Sequence, residues 1–132
     1  MDKEKNKQEF EDLLRSTKRE SIDYVIGDLE HDGFFEAPAS AGHHLNVAGG
    51  LCQHSLNVCH AALMIYEGME KLDPASTGKV KRESVIIASL LHDVCKTDIY
   101  HRTVKKRKNK VTGMWEDTEG YGISYKKFPM GH

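Results

Sequence analysis

The apolar run Ile86-Ile87-Ala88-Ser89-Leu90-Leu91 ends in His92-Asp93, and this junction constrains the fold more than any other part of the chain. An apolar helical stretch that stops on an imidazole and a carboxylate places two ionisable groups where burial is costly without a partner. A metal ion offsets that cost, because both side chains are ligand types for divalent cations. Thirty-eight residues upstream, His54 stands in Gly49-Gly50-Leu51-Cys52-Gln53-His54-Ser55-Leu56. A fold that satisfies the pair brings a helix carrying His54 against the end of the helix carrying His92 and Asp93.

The rest of the pattern is mainly helical. Phe10, Leu13, Leu14, Thr17, Ile22, Val25, Ile26 and Leu29 recur at spacings of three and four. This predicts one amphipathic helix over Lys5 to His31, or two broken near Ser21, ended by Gly33. Gly33 to His44, with Pro38 and Gly42, reads as a loop whose Phe34 and Phe35 pack over the core. A second helix is predicted from about Val47 to Lys71, with Leu51, His54, Val58, Ala61, Ala62, Ile65 and Met69 on one inward face. Met64 and Met69 read as core residues. Pro74 and residues 76–78 break the chain before a third helix, about Arg82 to Cys95. On it Ile86, Ser89, Leu90 and Asp93 share a face, and His92 and Asp93 occupy the last turn. Beyond Lys96, the segments Tyr100 to Lys108, Lys110 to Glu116 and Gly120 to Tyr125 are rich in aromatic and β-branched residues, which predicts a small hairpin or meander inserted between helices.

A chain of 132 residues with 39% hydrophobic content can bury one core and hardly two. It reads as a single domain: an N-terminal helix and loop over 1–46, a helical core over 47–96, and a β insertion with the start of a further helix over 97–132. Charged residues make up 30% at a net charge of -1, so the whole chain has no field that draws it to nucleic acid or to an anionic membrane. Arg102 to Lys110 carries six positive side chains in nine residues. That run is either a solvated strand edge protected by lysines or a phosphate-attracting arm. Met1 to Glu11 lacks the apolar core of a signal peptide, and no segment approaches the roughly 18 apolar residues of a spanning helix. A cytoplasmic protein is expected. Cys52, Cys59 and Cys95 are odd in number and lack Cys-x-x-Cys spacing, which suits reduced thiols.

Leu90-Leu91-His92-Asp93-Val94-Cys95-Lys96 at a helix end, preceded by Gly-Gly-Leu-x-x-His over 49–54, resembles the HD superfamily of metal-dependent phosphohydrolases. The stretch from His43 to Leu56 is similar to the His-His, Gly-Gly-Leu, His segment of its hydrolase and exoribonuclease branches. The resemblance covers roughly residues 40 to 132. His-Asp alone is weak, since another such pair stands at His31 and Asp32.

The resemblance implies a mainly α, HD-domain-like helical bundle with a small β-hairpin insertion. It implies that His54, His92 and Asp93 hold a divalent ion (manganese, nickel, iron, zinc or magnesium; one, or two where Asp93 bridges), and Gly131-His132 resembles the start of the helix that supplies a further histidine ligand in binuclear relatives. Such an ion keeps open positions, where it lowers the pKa of water and draws charge from a phosphoryl oxygen. Asp93 and Lys96 are the implied catalytic residues: Lys96 matches a lysine that faces substrate phosphate in relatives, though it equally suits the negative end of its own helix. The aspartate with which the family closes its site is absent from the 132 residues, so the chain is a fragment, or a partner or another carboxylate such as Asp98 completes the site, or it is not completed. A domain cut short of its last helices, retaining metal but hydrolysing weakly or not at all, is therefore expected, with an uncovered apolar face that favours a homo-oligomer. The implied substrate is a phosphomonoester or phosphodiester of a small molecule, a nucleotide or an oligonucleotide. The alternative is a non-catalytic, metal-binding regulatory or interaction module.

Two further readings stay beside these. His43 and His44 are surface loop residues or lie near the site. Cys52, His54, Cys59 and His60 invite a separate zinc site, but on one helix positions 52 and 59 share a face while 54 points elsewhere.

Overall fold

A computed structural model describes residues 1–124. Asp2 opens the first helix, α1 (Lys3–Ser16), by accepting the amide of Lys5 at 3.1 Å. Thr17 then bonds back to the Leu14 carbonyl, and Lys18 and Ser21 take left-handed conformations. The second of the two expected arrangements results, with α2 (Ile22–Asp32) as a separate helix. Gly33, at φ +88°, ends α2 in the left-handed geometry that glycine adopts at least cost. A 3-10 turn over Phe34–Glu36 folds two rings back onto α1. Phe34 and Phe35 lie with ring centroids 5.0 and 5.4 Å from that of Phe10, so the expected packing of this pair over the core holds.

Helix α3 (Gly50–Leu72) packs on α4 (Arg82–Leu91), with a 3-10 turn over Pro74–Thr77 between them. Leu56, Cys59, Ile86 and Leu90 are buried where these helices join the Phe10, Leu14, Ile26 and Leu29 cluster. The inward face of α3 differs from the expected one. It runs through Leu51, Cys52, Ser55, Leu56, Cys59 and Leu63, while Met64, Ile65 and Met69 are exposed. Small Cys52, Ser55 and Cys59 form the interior contact, and the apolar residues of the helix's last turns extend beyond it. His54 sits at the margin of the buried stripe, with its side chain 23% exposed.

Helix α4 is shorter than predicted. It stops at Leu91, His92 caps it, and Asp93 leaves helical geometry at φ -110° and ψ 17°. A 3-10 turn over Val94–Asp98 follows, opened by the Lys96 amide bonding the Asp93 carbonyl at 2.9 Å. The pair therefore stands at and just past the helix end, free to turn sideways toward α3.

The hairpin joins β1 (Tyr100–Lys108) to β2 (Trp115–Ile123), antiparallel, with Tyr100 opposite Ile123 and Lys108 opposite Trp115. Val111 and Thr112 lie in the turn, where the Asn109 side chain accepts both their amides at 2.8 and 3.1 Å. Residues 120–123 continue β2, so the result is a hairpin and not a three-stranded meander. Lys106 pairs with Asp117 at 2.8 Å and Arg107 faces Glu116. Acidic residues on β2 thus offset the basic run, which favours the solvated-edge reading over a polyanion arm. Among the described residues no helix is long and apolar enough to cross a membrane. His132 and Tyr125 lie outside the described residues.

Candidate metal centre

The Gly-Gly-Leu segment sets the position of His54. Ala39 and Leu51 donate their amides to the carbonyls of Leu45 and Ala37, at 3.0 Å each, which seats the 37–45 loop on the first turn of α3. A Cβ on Gly50 would run into the Leu45 carbonyl, so glycine at this position permits the close approach. One helical turn later His54 faces the end of α4.

There the atoms converge. His54 Nε2 lies 3.3 Å, His92 Nε2 3.4 Å and Lys96 Nζ 3.0 Å from Asp93 Oδ2. Ligand atoms of His54, His92 and Asp93 all lie within 4.8 Å of one another. His92 Nδ1 is 2.7 Å from the Ser89 carbonyl, which can only accept, so Nδ1 carries the proton. In the neutral ring Nε2 then keeps its lone pair, and it faces a carboxylate oxygen. In that tautomer the two atoms, 3.4 Å apart, are both acceptors and can share a cation. The spacing suits two ligands on one ion with bonds of roughly 2.0–2.2 Å, and the backbone bond behind His92 is the outer support that fixes a ligand imidazole's tautomer.

The electrostatics put His54 and Asp93 in their ligating forms. Partial burial lowers the His54 pKa and outweighs the opposite pull of Asp93, so the ring is neutral at neutral pH. Burial is also the largest influence on Asp93 and pushes its pKa up, but the Lys96 hydrogen bond and charge, with His92 and His54, outweigh it and hold the carboxyl below its ordinary value. Two imidazoles and a carboxylate make a donor set that fits a divalent ion.

The other residues singled out by the sequence fall apart from this cluster or take different partners. Lys96 turns its ammonium to Asp93, with its side chain 14% exposed, and not to the last carbonyls of α4. Asp98 lies beside Leu29, Asp32 and Cys95 on a cavity of about 310 Å³, outside the ligand cluster. Cys52 and Cys59 are core residues, burial pushing the Cys52 thiol up to about 12, and His60 bonds Glu9 at 2.6 Å, so the helix presents no second zinc site. His44 stands against His54, ring centroids 5.5 Å apart, and His43 only shares its loop. The Ser89 carbonyl carried no sequence signal, because any residue supplies one.

Residues 51–128, more than half of the chain, match the HD domain family, and the chain belongs to it. HD domains are metal-dependent. Among characterised proteins, the dihydroneopterin 2',3'-cyclic phosphate phosphodiesterase of Methanocaldococcus jannaschii is 36% identical over 67 residues, covering 51% of this chain and 26% of that enzyme. This chain thus corresponds to about a quarter of its relative's length. No solved structure matches it.

Proposed function

We propose that this domain is the metal centre of a phosphohydrolase, with His54, His92 and Asp93 as its ligands and a phosphodiester of a small molecule or nucleotide as its substrate. The observation that carries the reading is the convergence of both Nε2 atoms on Asp93 Oδ2, at 3.3 and 3.4 Å. A divalent ion held there supplies Lewis-acid activation of water and of the phosphoryl group. His92, fixed by the Ser89 carbonyl, points its lone pair inward without reorganisation. Asp93 stays ionised because Lys96 lies on it, so Lys96 acts through Asp93, as a positioning residue. The phosphodiester preference rests on the relative, which is named as a phosphodiesterase of a cyclic phosphate.

The test measures hydrolysis of bis(p-nitrophenyl) phosphate and of 2',3'-cyclic nucleotides with manganese, nickel, iron, zinc or magnesium supplied, together with metal content after desalting. Metal-dependent turnover abolished by Asp93→Ala supports the proposal. Metal retention without turnover of any phosphoester supports the regulatory module instead, and no retention removes both.

A further inference from the structure

Lys96 directs its ammonium at Asp93 with its side chain only 14% exposed, which leaves room at the centre for a phosphoryl contact from a more exposed side chain. We infer that His44 is that residue: it binds substrate by donating an imidazole N–H to a nonbridging phosphoryl oxygen, an inference that rests on the proposed function. His44 packs against His54 with ring centroids 5.5 Å apart and planes tilted by 58°, which places it one ring's breadth from the ligand cluster. It is solvent-exposed, and its nitrogens are not among the ligand atoms that lie within 4.8 Å of one another. It therefore stands beside the centre, on a face that an incoming anion can reach.

The loop beneath it is tied down. Ser40 Oγ accepts the His43 amide at 3.1 Å and donates to the His44 carbonyl at 2.9 Å. The Ala39 amide bonds the Leu45 carbonyl at 3.0 Å, with Leu45 itself left-handed at φ 54°. From the hairpin, Lys105 lies across Gly120 and donates to the Ala41 carbonyl at 2.7 Å. An exposed imidazole on a loop fixed from both sides loses little freedom when it meets a ligand, and a hydrogen bond to an ionised oxygen is stronger than a neutral one.

The experiment compares wild type with His44→Ala and His44→Gln. Calorimetry first measures manganese binding, then inorganic phosphate binding to the manganese-loaded protein, and bis(p-nitrophenyl) phosphate hydrolysis gives KM and kcat separately. In His44→Ala, manganese affinity should stay within about twofold while phosphate affinity falls about tenfold and KM rises in parallel. His44→Gln, which keeps an N–H donor, should recover part of the phosphate affinity. Unchanged phosphate affinity in His44→Ala overturns the inference alone, as does a loss of manganese affinity, which would make His44 a ligand. Failure of wild type to bind manganese overturns the proposed function and this inference with it.

Discussion

The chain contains the same dipeptide at two helix ends, and only one joins a cluster of candidate ligands. His31 and Asp32 close α2, bond each other at 3.2 Å and are 88% and 67% exposed. His92 and Asp93 follow α4, and there the Asp93 side chain is 13% exposed with three nitrogens around one oxygen. The difference lies in how each helix ends. Helix α2 runs through its pair and stops on Gly33, which leaves both side chains on an outer turn, whereas α4 stops before its pair and the backbone turns Asp93 toward α3. A His-Asp pair meets other candidate ligands when a cap releases it and a second element packs against it.

Substitutions at matched positions sharpen that contrast. The largest effect is expected for Asp93→Ala, which should weaken manganese binding at least about 100-fold, the upper end of what loss of an outer-shell partner alone costs. Asp32→Ala should leave calorimetric affinity unchanged, and equal losses would break the comparison. Next come the glycines: Gly50→Ala should destabilise the fold by about 2 kcal/mol in urea unfolding, because the Leu45 carbonyl must move. Gly33→Ala, in open space at φ +88°, should cost about 1 kcal/mol. Lys96→Met should lower metal-free stability by about 1.5 kcal/mol, since it strands a mostly buried carboxylate. The exposed His31→Ala should stay within about 0.5 kcal/mol.

The smallest effect is on acid sensitivity. Asp93 has a folded pKa below its unfolded one, so its stabilisation is present above the ordinary carboxylate range and is lost as pH falls through the lower, folded value. His54, also lowered, adds a loss of stability as pH falls below the ordinary imidazole value. Both slopes have the same sign. Asp93→Asn should therefore flatten the acid limb of a metal-free stability curve followed by circular dichroism, and an unchanged limb would count against the stated charge balance.

The three ligand candidates were legible in the sequence because a helix end and a Gly-Gly-Leu start are local signals with few alternatives. The helical bundle and the hairpin were legible for the same reason: periods of 3.6 and 2 show in apolar residues. The inner face of α3 was not, since Cys52, Ser55 and Cys59 are too small to mark a hydrophobic stripe, while Met64, Ile65 and Met69 marked one that faces outward. The direction of Lys96 was left open between phosphate and helix end, and its partner is the aspartate three residues earlier. His44 depends on a left-handed Leu45 and on Lys105 reaching across from the hairpin, neither of which a linear pattern records.

The ammonium of Lys96, 3.0 Å from Asp93, gives the centre a resident counter-ion. Small domains whose anionic ligands have no such placeholder collapse only when the metal arrives and fall apart under a chelator. Here the negative charge is already balanced by the chain, and the Phe10, Leu14, Leu56 and Leu90 interior is assembled without the ligands. On the proposed function, a chelator should therefore abolish hydrolysis while leaving the circular dichroism of the fold unchanged, and unfolding on chelation would show that the Lys96–Asp93 pair does not balance the centre.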